Sequence, residues 1–224
     1  PVLSIVVLSQ NNADIIERCL RSCRFADELV VLDSGSTDQT VALARPLVDR
    51  VLQRPLDDFS AQRNYALEQL SQPWVLFVDS DEVIPQALAD EIRATIVDTE
   101  QVGFEIHRLP IVLGAPLRQL WQDDYAPRLF RRNAGRYVGR VHEKLALNGR
   151  IARLTQSLDH YCFASIATYL AKVNHYTSLE ATMLFERSEP VNGRIIFFAP
   201  WACGRRRFWP TRAIATAYEA SSLP

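Results

Sequence analysis

The sequence lacks both a signal peptide and any apolar run long enough to cross a bilayer. Its four cysteines include no Cys-x-x-Cys pair, and further ligands for a zinc site are missing nearby. Cys19 and Cys23 lie four residues apart, so we expect them to line the buried face of a helix. These absences predict a protein that remains in a reducing cytoplasm.

The chain also lacks a large net charge of either sign. The 25 basic and 26 acidic residues leave a net charge of −1, which argues against nucleic-acid binding through bulk charge. No internal repeat or low-complexity linker interrupts the 224 residues, a length that suits one α/β domain with a tail. We therefore predict a domain over residues 1–189, with halves at 1–100 and 101–189, and a tail over 190–224.

The most informative run that is present lies between Trp74 and Glu82. Large apolar residues lead directly into the carboxylates of Asp79, Asp81 and Glu82. Such a run predicts a buried central strand, and ligands of α/β sheets bind at the carboxyl ends of strands. Carboxylate oxygens suit Mg²⁺ or Mn²⁺, ions that bridge to a substrate's phosphates. For this run alone, solvated turn residues or a helix N-cap remain the alternative.

Two further apolar runs precede this one in the chain. Residues 3–8 and 29–32 are predicted strands, and each is followed by a polar loop and a helical pattern. Two strand–loop–helix units in succession predict a parallel, right-handed βαβ sheet. The loops at 9–12 and 33–38 would then lie on the same rim as the three carboxylates.

The loop at 33–38 reads Asp-Ser-Gly-Ser-Thr-Asp, a composition that suits a nucleotide. Aspartates can accept from a base N–H or a ribose hydroxyl, and loop amides can approach a ligand where Gly35 removes side-chain bulk. The alternative is a plain turn that caps the helix predicted from Thr40 to Ala44. Three such loops on one rim favour the nucleotide.

Taken in order, these motifs resemble the GT-A glycosyltransferases of family 2, and more narrowly the bacterial lipopolysaccharide-core β-glucosyltransferase type. The resemblance covers residues 2 to 180, with matching segments at Ser9–Asn12, Val31–Asp38, Arg63–Asn64, Phe77–Glu82, Pro127–Arg132, Gly139–Glu143 and His160–Tyr161. It implies a Rossmann-like, mostly parallel sheet flanked by helices. It also implies transfer of a hexose, glucose from UDP-glucose, onto a lipopolysaccharide-core or other cell-envelope glycan at the inner face of the inner membrane.

The resemblance further implies roles for individual residues. The first half of the domain would bind the nucleotide sugar and the second half the acceptor. The residues that hold the uridine would be Ser9, Asn11, Asp33 and Asp38. Arg63 would face the diphosphate, Arg128 would join the substrate-binding residues, and Asp79 would lie near the ribose and the metal. Asp81 would be the main ligand of a divalent cation, Mg²⁺ or Mn²⁺.

The loop after the first strand departs from the family. Relatives usually carry Thr-Lys-Asn-Glu or similar there, whereas this chain has Ser9-Gln10-Asn11-Asn12 and lacks both charges. The same loop argues against a nucleotidyltransferase of the sugar-nucleotide pyrophosphorylase type, which should carry glycines and a lysine in this place. A non-catalytic module that binds nucleotide sugars or membranes is the other rival, but it should lose the base and metal carboxylates that are present here.

Glycosyl transfer needs a carboxylate that takes the acceptor proton and a cation that stabilises the leaving diphosphate. We predict Glu143 as the base, with its neighbour His142 orienting it or donating to a phosphate, and Asp124 as the second candidate. Alternatively, Glu143 faces solvent and pairs with Arg140 or Lys144. A base opposite the leaving group implies inversion, and no Ser or Cys nucleophile with a neighbouring base indicates a covalent route.

Three other histidines are sorted by their neighbours. His160 is either a third metal ligand, beside Asp79 and Asp81, or a structural histidine held by hydrogen bonds. His107 lies in an alternating segment typical of a strand, so we expect a structural role. His175 lies in a helix predicted from residue 166 to about 187, and we expect it to be exposed.

The tail differs in character from the rest of the chain. Residues 190–218 contain no acidic residue, while five arginines alternate with aromatic and apolar side chains. This pattern is typical of a segment that lies on an anionic membrane surface, and an oligomer interface or a helix packed on the domain are the alternatives. Pro200 and Pro210 argue against one long helix. We expect acceptor recognition to fall on this tail and on residues 111–136.

Overall fold

The computed structural model describes residues 2–55, 58–118, 124–139 and 144–163, together with isolated helical positions between 166 and 182. Most of the helix predicted from residue 166, including His175, and the whole predicted tail lie outside the described residues. Among the helices that are described, none is both long enough and apolar enough to span a membrane.

The elements alternate between strand and helix in the first half of the chain and are mainly strands in the second. The α-helices are α1 (Ile16–Ser22), α2 (Thr40–Ala44), α3 (Phe59–Gln69) and α4 (Gln86–Thr95). The strands are β1 (Leu3–Ser9), β2 (Glu28–Asp33), β3 (Arg50–Gln53), β4 (Trp74–Asp79), β5 (Glu82–Val83), β6 (Gly103–Val112), β7 (Ala115–Pro116), β8 (Tyr125–Arg131), β9 (Gly135–Val138), β10 (Lys144–Leu147) and β11 (Ile151–Phe163).

The chain divides into two compact units. The first comprises Pro1–Leu109 and Asp124–Tyr161, and it contains all four of these helices and most of the strands. The second comprises Pro110–Asp123 and Cys162–Pro224, and within it β7 pairs antiparallel with the last residues of β6. Every residue of the candidate site described below belongs to the first unit.

The first half of the large sheet confirms the predicted parallel βαβ units. Strands β3, β2, β1 and β4 lie side by side in that order, and each pair is parallel. The central strand β1 is buried along almost its whole length, as expected for a parallel strand covered on both faces. Helix α1 buries Ile16, Cys19 and Leu20, and Cys23 behind it is also buried, so the expected cysteine face is confirmed.

The second half of the sheet continues from β4 through β8, β6 and β11 to β5, and the pairs β4–β8, β8–β6 and β11–β5 are antiparallel. The pairing between β6 and β8 contains a bulge. Phe104 lies opposite Leu129 and Glu105 lies opposite Pro127, so Arg128 is an extra residue with no counterpart on β6. Bulges of this kind re-aim a side chain, and here the re-aimed side chain is that of Arg128.

Two hydrophobic cores cover the two faces of the sheet. One contains Trp74, Leu76 and Val78 together with the apolar faces of α1 and α4. The other contains Phe77 with Phe130 and the buried residues of α3. Successive side chains of a strand point to opposite faces, so Asp79, two residues after Phe77, emerges on the α3 side. Each large buried side chain contributes about 1.5–3 kcal/mol, which holds the end of β4 firmly in place.

A buried glutamate ties the strands together at the opposite, amino-terminal end of the sheet. Glu28 accepts hydrogen bonds from the Ser4 hydroxyl, from the Ser71 backbone N–H at 2.9 Å and from the Arg50 guanidinium. Burial opposes ionisation of Glu28, but these bonds outweigh it and hold the pKa of its carboxyl below the ordinary range. The ionised carboxylate therefore stabilises the fold at neutral pH.

Replacing this glutamate should lower stability in a pH-dependent way. The folded-state pKa lies below the ordinary value of 4.5, so the stabilisation is present above that pH and is lost as the pH falls through the folded-state pKa. We expect Glu28→Gln to lower the free energy of unfolding by about 2 kcal/mol at pH 7 and by less at pH 3. Urea unfolding at both pH values measures this.

The matched control is Glu68→Gln, which breaks an exposed pair with Arg136. We expect this control to change the free energy of unfolding by less than about 0.5 kcal/mol at either pH. Equal losses for the Glu28 and Glu68 variants would contradict the prediction.

Candidate functional site at the carboxyl edge of the sheet

Three polar loops meet where the parallel strands end. Ser9, the last residue of β1, pairs in register with Asp33, and Leu8 pairs with Asp79 at the end of β4. The predicted rim is therefore confirmed. Backbone bonds link the loops directly, because Ser34 N–H donates to the Ser9 carbonyl at 2.9 Å and Ser80 N–H donates to the Leu8 carbonyl at 3.1 Å.

The Asp-Ser-Gly-Ser-Thr-Asp loop is shaped by its first carboxylate. Asp33 is fully buried, and its Oδ2 accepts from Gly35 N–H at 3.0 Å and from Ser36 N–H at 2.9 Å, while the Ser36 hydroxyl donates to Oδ1. Gly35 has a φ of 95°, and no atom lies within 4 Å of where a Cβ would be. Glycine is thus needed for the turn and leaves open space above it. Direct contact of Asp33 with uridine stays a prediction.

The loop after β1 is cross-linked to the Asp-Ser-Gly-Ser-Thr-Asp loop. Asn11 adopts a φ of 51°, a conformation that asparagine tolerates well, and its Oδ1 accepts from Thr37 N–H at 2.8 Å. Asp38 Oδ2 accepts from Ala13 N–H at 3.2 Å. Hydrogen bonds from Thr40 lower the pKa of Asp38, so this exposed carboxylate stays ionised. The two predicted uridine residues therefore lie on one preformed surface.

Asn12 connects the same loop to the acidic segment. Its Oδ1 accepts from Gln10 N–H at 3.0 Å and from the Ser80 hydroxyl at 2.8 Å, and its backbone N–H donates to the Thr40 hydroxyl at 2.8 Å. Because Ser80 separates Asp79 from Asp81, Asn12 connects the acidic segment to the loop after β1 and to Thr40 at the start of α2. The neutral asparagine thus does structural work at a position where relatives usually carry an acid.

Asp79 is held by two arginines. Its Oδ2 accepts from Arg128 Nη2 at 2.9 Å, and Oδ1 lies 3.7 Å from Arg63 Nη2. Burial opposes ionisation of Asp79, but Arg128 and then Arg63 outweigh it and hold the pKa of its carboxyl well below the ordinary range. The side chain remains 33% exposed, so an ionised Asp79 reaches the surface of the site.

Glu82 lies beneath this pair and is completely buried. Its Oε1 accepts from Arg128 Nη2 at 3.1 Å, and its Oε2 accepts from the Asp79 backbone N–H at 2.8 Å. Burial raises the pKa of Glu82 to about 7, although the charge of Arg128 works in the opposite direction. In the sequence Glu82 is one member of the acidic run, and no sequence signal links it to Arg128.

Asp81 meets His160 across the β5–β11 pairing. Asp81 Oδ2 lies 3.5 Å from His160 Nε2, and Tyr161 N–H donates to the Asp81 carbonyl at 2.8 Å. The Asp81 carboxylate suits Mg²⁺ or Mn²⁺, ions that commonly complete their coordination with water and substrate phosphates, and His160 is placed to add a nitrogen ligand to Mn²⁺. Over the described ranges, no three His, Cys, Asp or Glu side chains form a closed metal site. Asp79, the third predicted ligand, is instead paired with arginine.

Arg63 reaches the site from the second turn of α3. Its guanidinium lies 5.6 Å from the Phe77 ring centroid and 5.3 Å from that of Tyr137, with Asp79 on a third side. Asn64 fixes the helix to β9, because its side-chain amide donates to the Tyr137 carbonyl and accepts from the Tyr137 N–H, each at 2.9 Å. These contacts preorganise the predicted diphosphate residue.

The structure describes only one of the two candidate bases. Asp124, just before β8, is half-buried, and its Oδ1 accepts from Arg108 Nη2 at 2.7 Å. Glu143 and His142 lie outside the described residues, so their roles stay predictions. The sequence predicts a structural role for His107. Its Nδ1 lies 2.8 Å from the Ser157 hydroxyl oxygen, and its ring packs against Tyr125.

A cation–π contact at Tyr161 could not be predicted from the sequence. The Arg18 guanidinium lies 3.5 Å from the ring centroid of Tyr161, the residue after His160. Arg18 is an exposed residue of α1, and nothing in its sequence surroundings distinguishes it from other surface arginines.

A groove of about 600 Å³ lies elsewhere on the first unit. It is lined by the end of α3 and by the β9–β10 hairpin with the turn before it. Arg132 in that turn donates its backbone N–H to the carbonyl of Pro73, next to the start of β4. The groove is thus at the amino-terminal edge and does not belong to the site at the carboxyl edge.

Comparison with known proteins agrees with this geometry. Residues 4–104, which carry the three loops, match the family model for glycosyl transferase family 2. The lipopolysaccharide core biosynthesis glycosyltransferase LpsC of Rhizobium meliloti is 29% identical over 92% of this chain and 85% of its own length. Residues 4–104 therefore carry a glycosyltransferase family 2 domain. This domain, together with the similarity to LpsC, makes the chain a glycosyltransferase and argues against the nucleotidyltransferase rival.

A further relative and a solved structure are also similar to this glycosyltransferase. An uncharacterized glycosyltransferase of Rickettsia bellii is 26% identical over 89% of this chain and 73% of its own length. The structure of S. aureus TarS 1-349 in complex with UDP superposes with a TM-score of 0.55 at 20% identity, over 72% of this chain. The match spans 60% of that TarS chain. These findings confirm the α/β, GT-A fold that the sequence predicts.

The internal hydrogen bonds of Asp33 give a test of the loop in this glycosyltransferase. Asp33→Asn keeps the shape of the side chain, but an amide accepts hydrogen bonds through only one of the two atoms with which Asp33 accepts them. We expect a loss of about 1–3 kcal/mol in the free energy of unfolding, measured by urea denaturation. Asp98→Asn, the same change at an exposed position, is the control and should have little effect. A stable Asp33 variant would show that the loop does not depend on this carboxylate.

Proposed function

We propose that this family 2 glycosyltransferase transfers a hexose from a uridine nucleotide sugar, with UDP-glucose as the first candidate, onto a glycan of the cell envelope. The proposal rests mainly on one observation. The cross-linked nucleotide loops and the Asp81–His160 pair lie on the same edge of one sheet. Such an edge can bind a nucleotide on one side and its diphosphate on the other.

Support for the uridine donor comes from the loop geometry. Asp38 is exposed and ionised, and the loop above Gly35 is open, so base and ribose donors could reach carboxylate oxygens here. The fold relative TarS has been solved with UDP and also with UDP-GlcNAc, which supports a uridine nucleotide on the corresponding edge. Arg63 would then face the diphosphate from α3.

A divalent cation completes the proposal. Asp81 and His160 are the residues that would hold Mg²⁺ or Mn²⁺ in this chain, with Asp79 close by. The cation, when bound, supplies positive charge that stabilises the leaving diphosphate. Asp79 itself stays ionised through Arg128 and Arg63, which suits contacts to ribose hydroxyls.

The reaction needs one general base from the protein. A carboxylate, Glu143 or Asp124, would take the proton of the acceptor hydroxyl while the acceptor oxygen attacks the anomeric carbon. Because the base stands opposite the leaving diphosphate, a single displacement inverts the anomeric configuration. An α-linked donor then gives a β-linked product.

The acceptor is proposed from the relative LpsC, whose name refers to lipopolysaccharide core biosynthesis and most of whose length is matched. A lipid-linked acceptor and a nucleotide-sugar donor together suggest the cytoplasmic face of the inner membrane. The arginine and aromatic residues of the predicted tail would suit contact with that anionic surface, and they lie outside the described residues.

Loss of the cation site should abolish metal-dependent behaviour without unfolding the protein. We expect Asp81→Ala to remove Mn²⁺-dependent hydrolysis of UDP-glucose and the Mn²⁺-dependent rise in melting temperature with UDP-glucose, because a ligand and not core volume is lost. A panel of UDP- and GDP-sugars in thermal unfolding identifies the donor first. Asp98→Ala, at an exposed position, is the control, and unchanged metal dependence in the Asp81 variant would exclude Asp81 from the site.

The two candidate bases can be separated by matched amide variants. If Glu143 is the base, Glu143→Gln should keep donor affinity and lose about 10²-fold or more in turnover, the usual contribution of a general base. Asp124→Asn should then lose much less, since it breaks only the pair with Arg108. Steady-state kinetics measures the turnover of both variants, and donor binding is measured separately. A larger loss of turnover in Asp124→Asn than in Glu143→Gln would assign the role of the base to Asp124.

A further inference from the structure

Arg128 occupies an unusual place beside the site. It is the extra residue of the bulge between β8 and β6, and only 7% of it is exposed. The resemblance to family 2 suggests a substrate contact for this arginine, but its guanidinium is turned toward protein carboxylates. Bulges are frequent next to active sites, where they aim one side chain at a defined target.

The contacts of Arg128 form a closed ring. Its Nη2 donates to Asp79 Oδ2 at 2.9 Å and to Glu82 Oε1 at 3.1 Å. Glu82 Oε2 in turn accepts from the Asp79 backbone N–H at 2.8 Å. The ring therefore joins the two ends of the four-residue turn that contains Ser80 and Asp81.

The charges of this turn explain why such a ring is needed. Asp79, Asp81 and Glu82 place three carboxylates within four residues, and Glu82 is fully buried. A buried carboxylate without a partner is strongly unfavourable, and like charges repel. Arg128 donates a hydrogen bond to each of the two carboxylates at the ends of the turn, while Asp81, in the middle, lies beside His160.

We propose that Arg128 is a positioning residue that, through Glu82, locks the Asp79–Glu82 turn so that Asp81 is held beside His160. The lock itself is independent of the activity, but its consequence for cation and donor rests on the proposed function. Some residues do not bind a metal but orient the side chains that do. Replacing such a residue commonly lowers metal affinity or activity by about 10–100-fold.

Both of the ring's arginine bonds come from one nitrogen, Nη2, which makes a conservative rescue feasible. A lysine offers a single ammonium that could donate to both carboxylates, whereas methionine offers none. We therefore compare Arg128→Lys with Arg128→Met. The matched control is Arg131→Met, three residues along β8, because Arg131 bonds to the carbonyls of Gln101 and Thr99 and packs on Trp74, away from the turn.

The first measurement is hydrogen exchange of the purified protein without ligands. The Asp79, Ser80 and Tyr161 amides donate to Glu82, to the Leu8 carbonyl and to the Asp81 carbonyl respectively, so they report on the turn. We expect exchange in peptides covering these amides to rise at least tenfold in Arg128→Met, to stay near wild type in Arg128→Lys, and to be unchanged in Arg131→Met.

The second measurement is the Mn²⁺ concentration that gives half-maximal donor hydrolysis. We expect this concentration to rise about tenfold or more in Arg128→Met and by less in Arg128→Lys, with no change in Arg131→Met. The double variant Arg128→Met/Glu82→Gln replaces the buried Glu82 carboxyl, which has lost its cation, with a neutral amide, so its melting temperature should recover toward wild type. Its Mn²⁺ requirement should not recover, because the ring is still open.

Two results would overturn the inference. If Arg128→Met and Arg131→Met change exchange at the turn equally, Arg128 does not lock it. If the double variant recovers both stability and the Mn²⁺ requirement, Arg128 only compensates a buried charge. A wild-type protein without Mn²⁺-dependent hydrolysis would instead contradict the proposed function, and the exchange measurement would still decide on the lock.

Discussion

The compensation of buried negative charge at the end of β4 is the interaction on which the site depends. The strand is buried because its neighbours and helices cover both faces, and it ends in carboxylates. A carboxylate in such surroundings stays ionised when cations lie close enough to outweigh the cost of burial. Arg128 and Arg63 provide this charge to Asp79 from two directions, one from the antiparallel half of the sheet and one from α3.

The need to compensate the charge of these carboxylates also explains why the two halves of the sheet contribute different residues to the site. The parallel strands bring the loops at 9–12 and 33–38 to one edge, where backbone amides and small polar side chains cross-link them. The antiparallel strands add what the parallel half lacks, namely Arg128 on β8 and His160 on β11. An acidic turn from one half thus acquires its cation and its imidazole from the other. This explains why the bulge in β8 is part of the site and not a defect of the sheet.

The parts of this arrangement that depend on local pattern could be predicted from sequence. Apolar runs located β1, β2 and β4, and because parallel strands end at one edge, the meeting of their loops followed. The Glu82–Arg128 pair could not be predicted, since it joins residues 46 positions apart through a bulge that no periodicity reveals. Helix α3 was missed as an element because it lacks an apolar stripe and buries Ser60 and Gln62 along with its alanine and leucine.

The loop after β1 carries no charged side chain at positions 9–12, so the charges of the site lie on other elements. Relatives usually carry a lysine and an acid at positions 10 and 12, and here both are neutral amides. Asn12 uses its carbonyl oxygen to bind Ser80, so it contributes rigidity where an acid would contribute charge. With no lysine at position 10, a cation for the diphosphate must come from elsewhere. Arg63 meets this need in the proposed function, because two aromatic rings and Asp79 already hold its guanidinium at the rim.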